Sequence, residues 1–180
     1  MQQVIVQKFG GTSVGSGERI AAVAEIIKNE AEMNTVVVVV SAMAGETDRL
    51  IELSKLFGDN PNTREFDALI STGEKVSASL LAMALNSLGL KAKSYSAAQV
   101  SLKTTSNFSK AKILDIDKTK MEEILADGSI PIITGFQGIT ETGEVTTLGR
   151  GGSDTTAVAI AASLKANRCD IYTDVDGIYT

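Results

Sequence analysis

The sequence contains no histidine and one cysteine among its 180 residues. Without histidine, the chain cannot supply a Ser-His-Asp or Cys-His nucleophilic system, nor a histidine-based zinc site. Cys169 has no second cysteine with which to form an internal disulfide, so a reducing cytoplasm is the expected compartment. We interpret Cys169 as a packed structural cysteine rather than a nucleophile, because it directly precedes an apolar strand pattern.

Long apolar runs and a concentration of positive charge are missing as well. No wholly apolar run approaches the roughly 20 residues that a bilayer requires, and the N-terminus has neither a secretory signal pattern nor an Arg-rich transit segment. The net charge is −5 with acids and bases interspersed, so there is no basic stripe for nucleic acid. An apolar fraction of 43% is typical of a soluble globular domain. We therefore expect a cytoplasmic protein that binds neither membranes nor nucleic acid.

Strand-like and helix-like patterns alternate along the chain. Residues 36–40 are a continuous valine run, as in a strand buried on both faces, and residues 18–33 have the apolar spacing of one helix face. Repeated strand–helix units predict an α/β fold, a three-layer αβα sandwich with a mostly parallel sheet. We interpret the polar residues 103–110 as a mobile connection. The other predicted elements are strands at 4–6, 92–95, 112–116, 130–135 and 170–173, a hairpin within 139–147, and helices at 48–57, 63–88, 118–126 and 153–165.

Two glycine-rich segments interrupt this pattern. Residues 147–157 combine a flexible backbone with Arg150, Asp154 and four hydroxyls, directly before a helical pattern. Residues 8–15, at the end of the first predicted strand, are glycine-rich and contain hydroxyl residues as well. Unpaired N–H groups at a helix start attract anions, and ligands of parallel sheets bind beyond the carboxyl ends of the strands. Two anion-binding turns and a lysine, Lys8, indicate phosphoryl transfer.

The usual nucleotide-binding motifs do not account for this chemistry. The sequence has no Gly-Lys dipeptide, which excludes a Walker A loop, and no G-x-G-x-x-G spacing, which excludes the usual dinucleotide fingerprint. A protein-kinase catalytic loop begins with histidine and is therefore excluded too. Residues 174–177 match only the start of a calcium loop, so we identify no set of metal ligands in the chain.

Five blocks occur in order along the chain: VQKFGGTS at 6–13, SAM at 41–43, STGE at 71–74, TLGRGGSDTTA at 147–157 and YTDVDGIYT at 172–180. Their order and spacing are similar to those of the aspartokinases of the amino acid kinase superfamily, most closely the bacterial lysine- and threonine-regulated forms. The resemblance runs from Val4 to Thr180. It implies an amino acid kinase-like fold and ATP-dependent phosphorylation of the L-aspartate side-chain carboxylate to 4-phospho-L-aspartate, the first step toward lysine, threonine and methionine.

The resemblance implies that Lys8 and Asp154 carry the catalysis. A carboxylate nucleophile is already ionised at neutral pH and requires no general base, so catalysis reduces to alignment and to neutralising charge on the phosphoryl oxygens. By the resemblance, Lys8 contacts those oxygens beside Gly10 and Gly11, and Asp154 orients Lys8. The alternatives are a solvated lysine before a turn and, for Asp154, a helix N-cap.

The resemblance also implies a substrate site. Arg150 is suited to a bidentate grip on the α-carboxylate of aspartate, and Glu74 to its α-ammonium group. Ser41, Thr47 and Ser153 are implied as substrate or phosphate ligands. A surface ion pair remains the alternative for Arg150, and a capping or solvated glutamate for Glu74. For Ser41 and Thr47 the alternative is a hydroxyl that only closes a turn, and for Ser153 it is a helix N-cap.

The nucleotide site is implied at both ends of the chain. Thr173, Asp174 and Tyr179 resemble contacts to the nucleotide, which would be ATP with Mg²⁺, and Lys8, Gly10 and Gly11 complete this set. For Asp174 the alternative is an ordinary turn residue at a strand end.

The family pattern continues past residue 180, with a later lysine and paired regulatory ACT domains. We therefore interpret residues 1–180 as a partial amino acid kinase catalytic domain, truncated at the C-terminus and without ACT domains. We expect weak or no kinase activity from these residues alone, no lysine or threonine feedback, and a homo- or hetero-oligomer in the full-length protein. Another member of the superfamily, such as a glutamate kinase, and a non-catalytic domain that binds a ligand or subunit remain open.

Overall fold

Strands and helices alternate along the chain, whose computed structural model describes residues 3–59 and 61–173. A short 3₁₀ helix, Lys55–Phe57, follows the second α-helix. In chain order the elements are β1 (Val4–Phe9), α1 (Gly17–Ala31), β2 (Thr35–Val40), α2 (Glu46–Ser54), α3 (Thr63–Ile70), α4 (Thr72–Ser87), β3 (Ala92–Tyr95), β4 (Leu102–Thr104), β5 (Ile113–Ile116), α5 (Lys118–Ala126), β6 (Ile130–Thr134), β7 (Gln137–Ile139), β8 (Val145–Thr147), α6 (Gly152–Leu164) and β9 (Arg168–Tyr172).

The central sheet has five strands in the order β3-β6-β2-β1-β9, and every pair is parallel. The valine run of β2 lies inside this sheet and is buried, which is the environment that a continuous β-branched run favours. β1 pairs with β2 on one side and β9 on the other, with Lys8 opposite Val39 and Ile171. Lys8 therefore lies at the carboxyl edge of the sheet.

Helices cover both faces of the central sheet. Val38 points to the face on which Ile27 of α1 and Leu81 of α4 pack. Its neighbour Val37 points to the opposite face, which α5 and α6 cover, the latter with Ile160. This alternation follows from the two-residue period of a strand. The prediction of a three-layer αβα sandwich with a mostly parallel sheet is confirmed.

A second sheet of four strands, in the order β5-β4-β7-β8, was not predicted. The interpretation of residues 103–110 as a mobile connection is wrong at its start, because Lys103 and Thr104 belong to β4. Leu102 and Thr104 are buried while Lys103 is exposed, and three alternating residues are too few to distinguish a strand from a loop in the sequence. The predicted hairpin is confirmed as β7 and β8, although β7 begins two residues earlier than expected.

The predicted helix at 63–88 is divided into α3 and α4 at Ser71. Gln137 donates from its side-chain amide to the Ser71 carbonyl at 2.9 Å, which satisfies a group at the break. By length and composition alone the segment Thr63–Ser87 could span a membrane, but half of its most apolar window is buried inside the chain, as in a core helix. The remaining helices and strands lie close to their predicted positions.

Candidate active site

A cavity of about 290 Å³ opens at the carboxyl edge of the central sheet. Its walls come from the end of β1, the loop after β2, the starts of α2 and α4, and the glycine-rich segment before α6. Segments that are far apart in the sequence thus meet where ligands of parallel sheets bind. The cavity brings together seven of the predicted site residues: Lys8, Ser41, Thr47, Glu74, Arg150, Ser153 and Asp154.

Lys8 and Asp154 form an ion pair within this cavity, with 2.7 Å between the lysine Nζ and a carboxylate oxygen. The Lys8 side chain is only 9% exposed, which argues against a solvated surface lysine, whereas the Asp154 side chain is 48% exposed. Asp154 lies in the first turn of α6, where the helix dipole favours a negative charge. The N-cap of that helix is Gly151 and makes no side-chain capping bond, so Asp154 does not serve as the cap.

Glu74 reaches the cavity from the first turn of α4 and is 2% exposed. One carboxylate oxygen, Oε1, accepts a hydrogen bond from the backbone N–H of Ala42 at 3.2 Å. The other, Oε2, is buried and has no hydrogen-bond partner in the described part of the chain. Burial raises the pKa of Glu74 from 4.5 to about 7. Glu74 is therefore neither a solvated residue nor a fully satisfied one, and a bound cation would supply the missing partner.

Arg150 stands between two glycines whose backbone is left-handed, with φ of 83° at Gly149 and 74° at Gly151. Such angles favour glycine, and they let the chain turn sharply before α6 begins. The Arg150 side chain is exposed, and no ion pair joins it to any residue in 3–59 or 61–173. The alternative of a surface ion pair does not apply there, which leaves the guanidinium available to a ligand.

The three predicted hydroxyl residues lie on different sides of the cavity. Ser41 follows β2, and its carbonyl accepts a hydrogen bond of 2.6 Å from the Ser77 hydroxyl. Thr47 is in the first turn of α2, and Ser153 is buried in the first turn of α6. The first N–H groups of these two helices have no partners inside the helix, so both starts can donate to an anion.

The predicted nucleotide residues lie beside the cavity or outside the described residues. Gly10 donates its N–H to the Tyr172 carbonyl at 3.2 Å, which joins β1 to the end of β9. A Cβ atom at Gly11 would lie 2.7 Å from the Ala42 carbonyl oxygen, so glycine is what lets the loops after β1 and β2 meet. Thr173 directly follows β9 at the same edge. Asp174 and Tyr179 lie outside the described residues.

The cavity combines a buried lysine, an acceptor for a cation and a guanidinium that forms no ion pair within the described part of the chain. The sequence profile of the Amino acid kinase family matches residues 3–180. The chain belongs to the amino acid kinase family.

Three relatives illustrate what this amino acid kinase chain is similar to. The aspartokinase of Geobacillus stearothermophilus is 56% identical over 178 residues, which are 98% of this chain and 44% of that protein. The structure of aspartate kinase from Synechocystis has a TM-score of 0.85 at 48% identity and matches 97% of this chain and 28% of that one. The structure of E. coli aspartokinase III with aspartate and ADP has a TM-score of 0.83 at 28% identity, over 99% of this chain and 51% of that one. The chain thus spans less than half the length of the curated relatives that it matches first.

Phe136 is a cavity residue of this amino acid kinase chain that the sequence reasoning missed. It has a left-handed φ of 69°, and its backbone N–H donates to the hydroxyl of Thr156 on α6 at 3.2 Å. Its place two residues after β6, at the carboxyl edge of a parallel sheet, was a signal that could have identified it.

Two further observations concern the side-chain chemistry of the described residues. In residues 3–59 and 61–173, no three histidine, cysteine, aspartate or glutamate side chains come together as a metal site. Cys169 lies on β9 and is partly buried, and burial together with the nearby Asp170 raises the pKa of its thiol. A raised pKa lowers the thiolate fraction, which is unfavourable for a nucleophile.

Proposed function

We propose that this chain is part of an aspartate kinase that transfers the γ-phosphoryl group of ATP to the side-chain carboxylate of L-aspartate. The observation that carries the proposal is that one cavity holds two charged groups without partners among the described residues 3–59 and 61–173. They are the second carboxylate oxygen of the buried Glu74 and the guanidinium of Arg150. A free α-amino acid carries one ammonium and one carboxylate on the same carbon, and these two side chains complement both. The names of the relatives, aspartokinase and aspartate kinase, support the choice of amino acid.

Substrate binding follows from these two charges. The guanidinium of Arg150 donates two parallel hydrogen bonds to the α-carboxylate, and the carboxylate of Glu74, held by the Ala42 N–H, accepts from the α-ammonium group. Ser41, Thr47 and Ser153 would donate to the substrate carboxylates or to the transferred phosphate. The side-chain carboxylate of aspartate is thereby left to face Lys8.

The transfer step uses the Lys8–Asp154 pair. A side-chain carboxylate oxygen of aspartate attacks the γ-phosphorus, the bond from that phosphorus to the bridging oxygen breaks, and ADP leaves with the electron pair. The nucleophile is ionised at neutral pH, so no residue has to remove a proton. Lys8 neutralises charge on the phosphoryl oxygens, and the 2.7 Å contact with Asp154 keeps its ammonium in place.

The nucleotide would lie against Gly10, Gly11, Thr173, Asp174 and Tyr179. Magnesium bound with ATP typically uses one or two carboxylates together with phosphate oxygens and water, and the half-exposed Asp154 carboxylate fits that role. Such an ion supplies further positive charge at the phosphates. We propose a cytoplasmic enzyme of lysine, threonine and methionine synthesis that assembles into oligomers as a whole protein.

A hydroxamate assay tests this proposal, because hydroxylamine traps an acyl phosphate. Purified chain is incubated with ATP, Mg²⁺ and, in parallel, aspartate, glutamate or no amino acid, with UMP phosphorylation followed separately. Hydroxamate that depends on both ATP and aspartate supports the proposal, and its rate tests the expectation that residues 1–180 turn over slowly. Hydroxamate with glutamate in preference to aspartate would contradict it, and ATP binding with neither transfer nor aspartate binding would favour a non-catalytic domain.

A further inference from the structure

Asp67 is a buried carboxylate outside the cavity. It lies on α3 and is 0% exposed. Its oxygen Oδ2 accepts hydrogen bonds from the backbone N–H groups of Ser109 at 2.8 Å and Thr147 at 2.7 Å. Its other oxygen, Oδ1, accepts from the hydroxyls of the same two residues, at 2.9 Å and 3.0 Å. The Asp67 side chain thus accepts hydrogen bonds from the backbone N–H and the hydroxyl of two residues that are far from it in the sequence.

Both residues adjoin the start of the glycine-rich segment 147–157. Thr147 is its first residue, and a Cβ atom at Gly149 would lie 3.4 Å from the Ser109 carbonyl oxygen. Thr147 is the last residue of β8, three positions before Arg150, and its carbonyl accepts from Ala111 N–H at 2.9 Å. The next residue, Leu148, donates to the Phe136 carbonyl at 2.9 Å. The backbone is therefore held at two successive residues before Gly149 gives it freedom to turn.

Packing of α3 against the second sheet does not by itself require a carboxylate at position 67. A buried carboxylate is costly unless donors surround it, and no lysine or arginine pairs with Asp67 in the portion of the chain that the structure describes. An apolar residue could join α3 to the second sheet without that requirement. Four donors on one carboxylate instead fix the position and the direction of the backbone that leads to Arg150.

We propose that Asp67 is a positioning residue for the substrate site, which acts by fixing the start of the segment that carries Arg150. The inference rests on the proposed function for the ligand of Arg150, namely the α-carboxylate of aspartate. Asp67 itself does not line the cavity. It holds the backbone so that the guanidinium meets the carboxylate without an ordering step at binding.

The test compares Thr147→Val with Thr146→Val. Both remove one buried hydroxyl of β8, but the Thr146 hydroxyl bonds to Thr104 at 2.6 Å rather than to Asp67. Calorimetry of the 180-residue chain should show that Thr147→Val weakens aspartate binding about three- to tenfold. The ATP affinity of both variants, and the aspartate affinity of Thr146→Val, should stay within about twofold of the unmodified chain. Equal losses of aspartate binding in both variants, no loss in Thr147→Val, or a parallel loss of ATP binding would overturn the proposal.

Asp67→Asn provides a rescue test. Its amide oxygen can keep the two backbone N–H groups while its NH₂ donates to the two hydroxyls, so we expect aspartate affinity within about threefold of the unmodified chain, and a larger loss for Asp67→Ala. Amide ¹⁵N relaxation of residues 149–152 in the free chain should show increased motion in Thr147→Val and not in Thr146→Val. If the unmodified chain does not bind aspartate, the proposed function fails, while this relaxation measurement still decides whether Asp67 holds the segment. Unchanged relaxation in Thr147→Val would overturn the positioning role.

Discussion

Aspartate binding should weaken about tenfold when the pH is lowered from about 8 to about 6. Glu74 must be ionised to receive the substrate ammonium, and burial raises its pKa to about 7. A glutamate of that pKa is about nine-tenths ionised at pH 8 and about one-tenth ionised at pH 6, and apparent affinity follows the binding-competent fraction. A glutamate with the ordinary pKa of 4.5 would stay almost fully ionised over the same range.

Calorimetric titration with L-aspartate at several pH values measures this effect directly. Repeating the titration below pH 7 in buffers of different ionisation enthalpy should also reveal release of a proton on binding, because the ammonium group displaces it from Glu74. Glu74→Gln provides the matched control, since it keeps the shape and cannot ionise. Its affinity should be low and independent of pH. An affinity that is flat from pH 6 to pH 8 in the unmodified chain would refute the reasoning.

The raised pKa of Glu74 also makes the stability of the folded chain depend on pH. Stability falls as pH rises, whereas aspartate affinity increases. Between the unfolded value near 4.5 and the folded value of about 7, the folded chain binds more protons at Glu74 than the unfolded chain does. The free energy of unfolding therefore falls as pH rises through that window, by an amount on the order of 3 kcal/mol from this residue. Glu74→Gln should remove this loss and raise the melting temperature above that of the unmodified chain near pH 8, and an equal or lower melting temperature would contradict the burial of an uncompensated charge.

Three further predictions concern separate parts of the site. In the whole protein, Lys8→Ala should lower the rate of aspartate-dependent hydroxamate formation at least about a hundredfold while aspartate affinity by calorimetry changes little, because Lys8 is proposed to act on the phosphoryl oxygens; a loss confined to aspartate affinity would contradict this. Arg150→Lys should weaken aspartate binding about tenfold and leave ATP binding unchanged, since an ammonium cannot replace a bidentate guanidinium; equal affinity in the two proteins would count against it. Gly11→Ala should destabilise the chain to urea by about 1–3 kcal/mol, because its Cβ would lie 2.7 Å from a backbone oxygen. Gly17→Ala should not, since a Cβ there would meet no described atom within 4 Å apart from its chain neighbours and its own helix backbone; similar urea midpoints for the two variants would refute the close approach.

Much of the fold follows from local sequence patterns. The valine run of β2 and the apolar stripe of α1 are each long enough to indicate their structure without help from the rest of the chain. β4 has only three residues, and it is a strand because β5 and β7 flank it. Its structure depends on tertiary contacts, which no local pattern contains.

The candidate site also has features that the sequence predicts and features that depend on the folded chain. Charged residues in glycine-rich turns identified Lys8, Arg150 and Asp154 as candidates, and the structure places all three at one cavity. The raised pKa of Glu74 could not be predicted, because it depends on burial of its carboxylate by the folded chain. Asp67 was missed for a related reason: its four donors come from residues 42 and 80 positions away.

The central claim is that the cavity recognises both charged groups of a free amino acid, through Glu74 and Arg150. Calorimetric titration of the chain with L-aspartate and with N-acetyl-L-aspartate tests it most directly, because acetylation removes the ammonium group and keeps both carboxylates. We predict that L-aspartate binds near pH 8 and that the acetylated compound binds at least about thirtyfold more weakly, since it leaves the Glu74 carboxylate buried and unpaired. Equal affinity for the two compounds would contradict the account.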